Sequence, residues 1–99
     1  MKLLDNNEIQ QQVNSLADYW QMEEDRIFTK LIFSDFTEAF AFMTSIALQA
    51  EKLNHHPSWT NTYNALEIVL STHDAGGLTA LDFKLAFKID QYYRSYTKQ

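Results

Sequence analysis

All three histidines of the chain fall between positions 55 and 73, as His55-His56-Pro57 and Ser71-Thr72-His73-Asp74, with Glu51 ahead of them and Asp82 behind. Imidazole is the side chain whose unperturbed pKa lies in the neutral range, so three gathered together can give and take protons at pH 7. The same side chains also suit a metal, but their spacing does not favour one shared ion. Ligands on a regular element come from one face, as in His-x-x-x-His on a helix, whereas the adjacent His55 and His56 point apart in either geometry. No His-Glu-x-x-His run is present. Other chemistries lack their signatures. There is no cysteine for a thiolate or an iron–sulfur cluster, and Gly76 and Gly77 stand in no phosphate-binding pattern. No Gly-x-Ser-x-Gly elbow supports a serine hydrolase.

Composition bounds the scaffold. The 99 residues fit one domain over 1–99, of a size that buries roughly 60–65% of the unfolded chain's surface. At 45% hydrophobic and 14% aromatic the sequence reads as a globule. Met1-Lys2-Leu3-Leu4 runs straight into Asp5-Asn6-Asn7-Glu8, so a secretory apolar segment is not expected. No apolar run approaches the ~20 residues that span a bilayer. A soluble cytoplasmic protein is the expectation, with no membrane partner. The formal net charge is −5 and the pI about 4.9. Lys84, Lys88, Arg94 and Lys98 are the nearest approach to a basic patch and read as solvated helix-surface charges. Direct nucleic-acid contact is therefore not expected.

The elements that must position the histidines follow from periodicity and caps. Asp5 and Glu8 form a capping-box pattern before Ile9, Val13 and Leu16, which predicts a short first helix. Tyr19–Met22 and Arg26–Phe33 predict a hairpin about Glu23-Glu24-Asp25. Ser34 or Asp35 caps a long helix whose apolar stripe is Phe36, Ala39, Phe40, Met43, Ile46, Ala47, Ala50 and Leu53, and Pro57 ends it. Trp59–Tyr63 and Leu66–Thr72 predict a second hairpin about Asn64-Ala65. After a flexible Gly76-Gly77 turn, Thr79 caps a last helix with an inner face of Leu81, Leu85, Ile89, Tyr92 and Tyr96. Two hairpins interleaved with helices predict an α+β fold, a four-stranded antiparallel sheet with three helices packed on one face. The end of the long helix and the end of the fourth strand can then bring the three imidazoles to one rim.

Each residue also has a purely structural explanation. His55 and His56 can bond the last carbonyls of a helix, and His73 can be a loop residue. Glu51 can pair with Lys52 or Lys30. Asp82, three residues after Thr79, completes a capping box. Trp20, Trp59 and Tyr63 suit packing.

The spacing Glu51, three residues, His55-His56-Pro57, five residues, Tyr63, nine residues, His73, eight residues, Asp82 resembles the signature of the pterin-4a-carbinolamine dehydratases. Phe40-Ala41-Phe42-Met43, Ala47–Leu53 and Leu70–His73 resemble that family's helix and strand segments, Trp20 stands where it has a tryptophan, and the likeness covers roughly residues 18–92. The resemblance implies a lyase that dehydrates 4a-hydroxytetrahydropterin to quinonoid dihydropterin, recycling the cofactor of aromatic amino acid hydroxylases. A general acid would protonate the departing hydroxide and a general base would take the N5 proton, with no cofactor or metal. It places His55, His56 and His73 at the catalytic site, with His55 and His73 as the acid–base pair and His56 more concerned with binding. Glu51, Asn54, Ser71, Thr72, Asp74 and Asp82 would touch or support the pterin. Glu51 would orient an imidazole or meet the amino-pyrimidine edge, Asp82 would fix the tautomer of His73, and Trp20 would wall the pocket. The family assembles as homodimers and homotetramers, and some members act as dimerisation cofactors in transcription. A non-catalytic interaction module is thus the alternative, with the aromatic tail Tyr92-Tyr93-Arg94-Ser95-Tyr96 as a candidate contact.

Overall fold

The structure, a computed structural model, describes residues 2–97. Lys98, one of the C-terminal cations, lies outside the described residues. The elements are α1 (Asn6–Ser15), β1 (Gln21–Glu23), β2 (Arg26–Ile32), α2 (Phe36–Leu53), β3 (Ser58–Thr62), β4 (Ala65–Leu70) and α3 (Ala80–Thr97). One turn of 3-10 helix, His73–Ala75, joins β4 to α3. The strands form one antiparallel sheet in the order β1-β2-β4-β3, so the α+β architecture expected from the sequence is the one that forms.

Alternation decides which face is covered. Ile27 and Leu31 of β2 and Leu66, Ile68 and Leu70 of β4 point inward and are fully buried, while Phe28, Lys30, Glu67 and Val69 point away. The inward residues meet Ala39, Phe42, Ile46 and Ala50 of α2 and Phe83, Leu85, Ala86 and Ile89 of α3 in one core. No buried side-chain N or O atom among the described residues lacks a hydrogen-bond partner. No helix among them is long and apolar enough to cross a membrane.

Several local expectations need correction. The buried stripe of α2 runs through Phe42, which is fully buried, while Phe36 and Phe40 are 48% and 54% exposed. α2 is apolar on more than one side, and periodicity alone does not say which side meets the sheet. The last helix buries Phe83 and Ala86 as well as Leu85 and Ile89, while Leu81 is only half-buried. The second hairpin turns at Tyr63-Asn64, because Thr62 pairs with Ala65, and Tyr63 adopts a left-handed φ of 52°. Gly76-Gly77 is a defined turn. Gly76 has φ 79°, a value that favours glycine, and the backbone of Gly77 bonds Thr72. The tail folds back on its own protein. The rings of Tyr93 and Tyr96 stand edge-on to Phe33 at 5.2 and 5.4 Å, and the Tyr93 hydroxyl donates to the Ile32 carbonyl at 2.6 Å.

Candidate active site

Asn54 caps α2 in the left-handed region (φ 51°, ψ 44°), which asparagine tolerates better than most residues. That single residue reverses the chain, and the His55 N–H then bonds the Ala50 carbonyl at 3.0 Å. Pro57 keeps the helix from resuming. The two adjacent imidazoles therefore part, His55 turning into the protein and His56 remaining exposed.

His55 is 8% exposed, and its Nε2 lies 2.6 Å from Oδ1 of Asp82, in the first turn of α3. Asp82 is completely buried. Its Oδ2 accepts the Thr79 N–H at 2.9 Å and the Thr72 hydroxyl at 2.8 Å. Asp82 thus closes the cap of α3 and backs a histidine at once. The histidine is His55, and the expectation that Asp82 would hold the tautomer of His73 is corrected. Asp82, in the first turn of α3, meets the residue that follows the α2 cap, while His73 starts an exposed turn.

His56 Nε2 lies 2.6 Å from Oε2 of Glu51, in the last turn of α2. Both side chains are more than half exposed, so this contact stands at the rim. The His73 imidazole makes no hydrogen bond or ion pair among the described residues. Its backbone is fixed by the Thr72–Gly77 bridge and by the Gly76 N–H, which donates to the His73 carbonyl at 3.0 Å.

A hollow of about 220 Å³ is lined by Asn54, His55, His56, Ser71, Thr72, His73 and Asp74. All three histidines therefore border one hollow. The hollow continues past His56, Ser71 and His73 into a larger one of about 550 Å³ on the outer face of the sheet, bordered by Ser58, Val69, Asp25 and Arg26. Ser71 ties this region to the first hairpin by donating to the Asp25 carbonyl at 2.6 Å. The Thr72 hydroxyl is engaged internally and its side chain is buried, so it supports the wall from behind. Trp20 does not wall this hollow, a second correction. It is buried in the core and donates from Nε1 to Asp90 at 2.8 Å. Tyr63 is exposed at the tip of the second hairpin. The sequence analysis did not single out Ser58, Asp25 or Arg26, although the outward position of Ser58 opposite Val69 follows from strand alternation. No group of three or more histidine, aspartate or glutamate side chains among the described residues is arranged to hold a metal ion.

The order and spacing of these side chains can be set against known proteins. A sequence profile described as Pterin 4 alpha carbinolamine dehydratase matches residues 2–92. The chain belongs to the pterin 4 alpha carbinolamine dehydratase family. A relative from Chelativorans sp. (strain BNC1), provisionally named a pterin-4-alpha-carbinolamine dehydratase, is 50% identical over 91 residues, covering 90% of this chain and 92% of its own. A similarly named relative from Sinorhizobium medicae (strain WSM419) is 60% identical over 74 residues, covering 73% and 70% of the two chains. The crystal structure of a transcriptional coactivator/pterin dehydratase from Brucella melitensis superposes with a TM-score of 0.87 at 40% identity, over 92% of this chain and 98% of that one. A pterin dehydratase-like RuBisCO assembly factor of the alpha-carboxysome shares the fold, with a TM-score of 0.62 at 19% identity over 74% and 84% of the chains.

Proposed function

We propose that this dehydratase-family protein eliminates water from a 4a-hydroxytetrahydropterin, and that His55, His56 and His73 carry out the reaction. The observation that supports this most is the single hollow bordered by all three histidines, one of them backed by a buried carboxylate. Elimination breaks the C4a–O bond and forms a C4a=N5 double bond. The leaving hydroxide collects a proton to depart as water, and N5 releases one. His55 is suited to the base role, since Asp82 lies beside it to stabilise the imidazolium that forms. His73, which no carboxylate holds among the described residues, is suited to the acid role. His56 with Glu51 at the rim is suited to binding the polar edge of the pterin, with Asn54 and Asp74 beside it. This chemistry needs no resident cofactor or metal, so chelators should leave the rate unchanged. Loss of activity on chelation, restored by zinc, would replace this mechanism with a metal-dependent one.

The natural setting would be the cytoplasm, returning the pterin of an aromatic amino acid hydroxylase to a reductase. The deciding experiment follows formation of quinonoid dihydropterin from an enzymatically generated 4a-hydroxy adduct, against its spontaneous rate. Acceleration proportional to protein concentration is expected, and none at all would overturn the proposal.

A second role rests on α2. Phe36, Phe40 and Leu48 are 48%, 54% and 62% exposed along one side of that helix, and the first two rings touch at 5.7 Å. So large an apolar face supports a homodimer or homotetramer as the working form. It would equally suit a transcriptional partner, the activity joined to dehydration in the name of the Brucella protein. Leu48→Glu should lower the solution mass, and an unchanged mass would remove α2 from the interface.

A further inference from the structure

The hydroxyls of Thr72 and Thr79 form a chain that ends on Asp82 opposite His55, and from this juxtaposition we infer that they hold in place the carboxylate that sets which nitrogen of His55 carries its proton. Thr72 has one hydroxyl hydrogen, which goes to Asp82 Oδ2 at 2.8 Å. The contact between the two threonine oxygens, also 2.8 Å, must then be donated by Thr79. Thr79 Oγ1 in turn accepts the Leu81 N–H at 3.3 Å. Donation therefore runs one way, from the Leu81 backbone through Thr79 and Thr72 to the carboxylate.

A carboxylate ionised at neutral pH has only lone pairs to offer. Oδ2 receives two donors, so Oδ1 is left for His55, and the hydrogen in the 2.6 Å contact belongs to Nε2. Neutral His55 is then the Nε2–H tautomer with Nδ1 unprotonated. Nδ1 has no protein partner among the described residues, and His55 borders the hollow. It becomes the atom that accepts the N5 proton.

Thr72 is buried and its hydroxyl both gives and receives a bond, so it is a positioning residue that acts through Asp82. Without its hydroxyl, Oδ2 would lose a donor, the Asp82 carboxylate could rotate, and the His55 ring would lose its fixed orientation. The link also joins the end of β4 to the start of α3, holding the segment that presents His73 in register with His55. The role in turnover rests on the dehydratase reading above, whereas the tautomer does not.

The test compares Thr72→Val, which keeps the shape, with Thr72→Ser, which keeps the hydroxyl. Two readouts apply: imidazole ¹⁵N chemical shifts of His55, assigned against single His56→Gln and His73→Gln variants, and the separate kcat and KM for the adduct. In the unmodified protein His55 should be the Nε2–H tautomer. Thr72→Val should shift the His55 signals toward a mixture of tautomers and lower kcat on the order of 10-fold, with little change in KM. Thr72→Ser should restore both. An Nδ1–H tautomer in the unmodified protein, or unchanged spectra and kcat in Thr72→Val, would overturn the inference. If Thr72→Val does not fold, Thr72→Ala, which removes the same hydroxyl with a smaller side chain, is read in its place against the same two outcomes. An Nε2–H tautomer in a protein that does not accelerate dehydration would sink the dehydratase proposal and leave the proton assignment standing.

Discussion

Asp82 and Asp90 stand about two turns apart on α3, both buried, and each accepts hydrogen bonds from three neighbours. Asp90 takes the Ala17 N–H at 2.8 Å, the Tyr19 hydroxyl at 2.7 Å and the Trp20 indole N–H at 2.8 Å. None of those donors gives up its proton near neutral pH, so Asp90 is a staple. It draws the segment between α1 and β1 onto α3. Asp82 takes a backbone N–H, a hydroxyl and an imidazole. One of its three partners is an imidazole, the side-chain type suited to proton exchange near neutral pH, and it borders a hollow. The same device, a buried carboxylate ringed by donors, thus holds the fold at one place and, on the proposed mechanism, prepares chemistry at the other. The nature of a single partner makes the difference.

The contrast can be broken at either end. The largest effect should come from the imidazole that no carboxylate holds among the described residues: His73→Ala should lower catalysed dehydration by roughly 10²–10⁴-fold. Near-normal turnover of the purified variant would move the acid role elsewhere. Next, Asp82→Asn should reduce turnover by roughly 10–100-fold while the protein stays folded by circular dichroism. A loss of fold with the remaining folded fraction fully active would make Asp82 a second staple. Asp90→Ala should do the opposite. We expect it to destabilise the protein by about 3 kcal/mol in denaturant titrations, because three donors lose their acceptor. Turnover per folded molecule should hold within about 2-fold.

Two finer tests sharpen the contrast. Burial, and then the hydrogen bond and charge of Asp90, hold the Tyr19 phenol above the ordinary tyrosine range. The folded state therefore keeps this proton more tightly than the unfolded state does. The resulting stability is fully present below about pH 10 and falls as pH rises beyond it. Tyr19→Phe should show a shallower alkaline decline in melting temperature than the unmodified protein, and equal slopes would refute the assignment. Smallest of all, Glu51→Gln should change turnover by only about 2- to 3-fold, because its contact with His56 is exposed and solvent-screened.

Much of this was legible in the sequence. The capping signals at Asp5, Asp35 and Thr79, the alternation of Leu66, Ile68 and Leu70, and the stop at Pro57 specify element order through local chemistry. The meeting of His55, His56 and His73 followed from that order. Pairings between distant side chains were less accessible. Asp82 carries a capping pattern that explains it locally, and nothing in the chain says which imidazole the cap will face. For Trp20 the packing reading holds and the pocket-wall reading implied by the resemblance does not, for a related reason. An indole beside a strand is compatible with a pocket wall or a core, and only Asp90, far along the sequence, decides between them. Phe42 was overlooked because α2 has apolar residues on several sides, so its period does not choose one.

The reversal at Asn54 gives the length of α2 a meaning beyond packing. Each helical residue adds 100° of rotation and 1.5 Å of advance. Removing one position from the last turns of α2 would swing the following dipeptide about a quarter-circle, carrying His55 out of line with α3. Lengthening the hairpin tip at Tyr63-Asn64 would impose no comparable rotation on it. Drift in chain length should therefore be tolerated at that tip and selected against before Asn54, where the helix works as a ruler that sets His55 against Asp82.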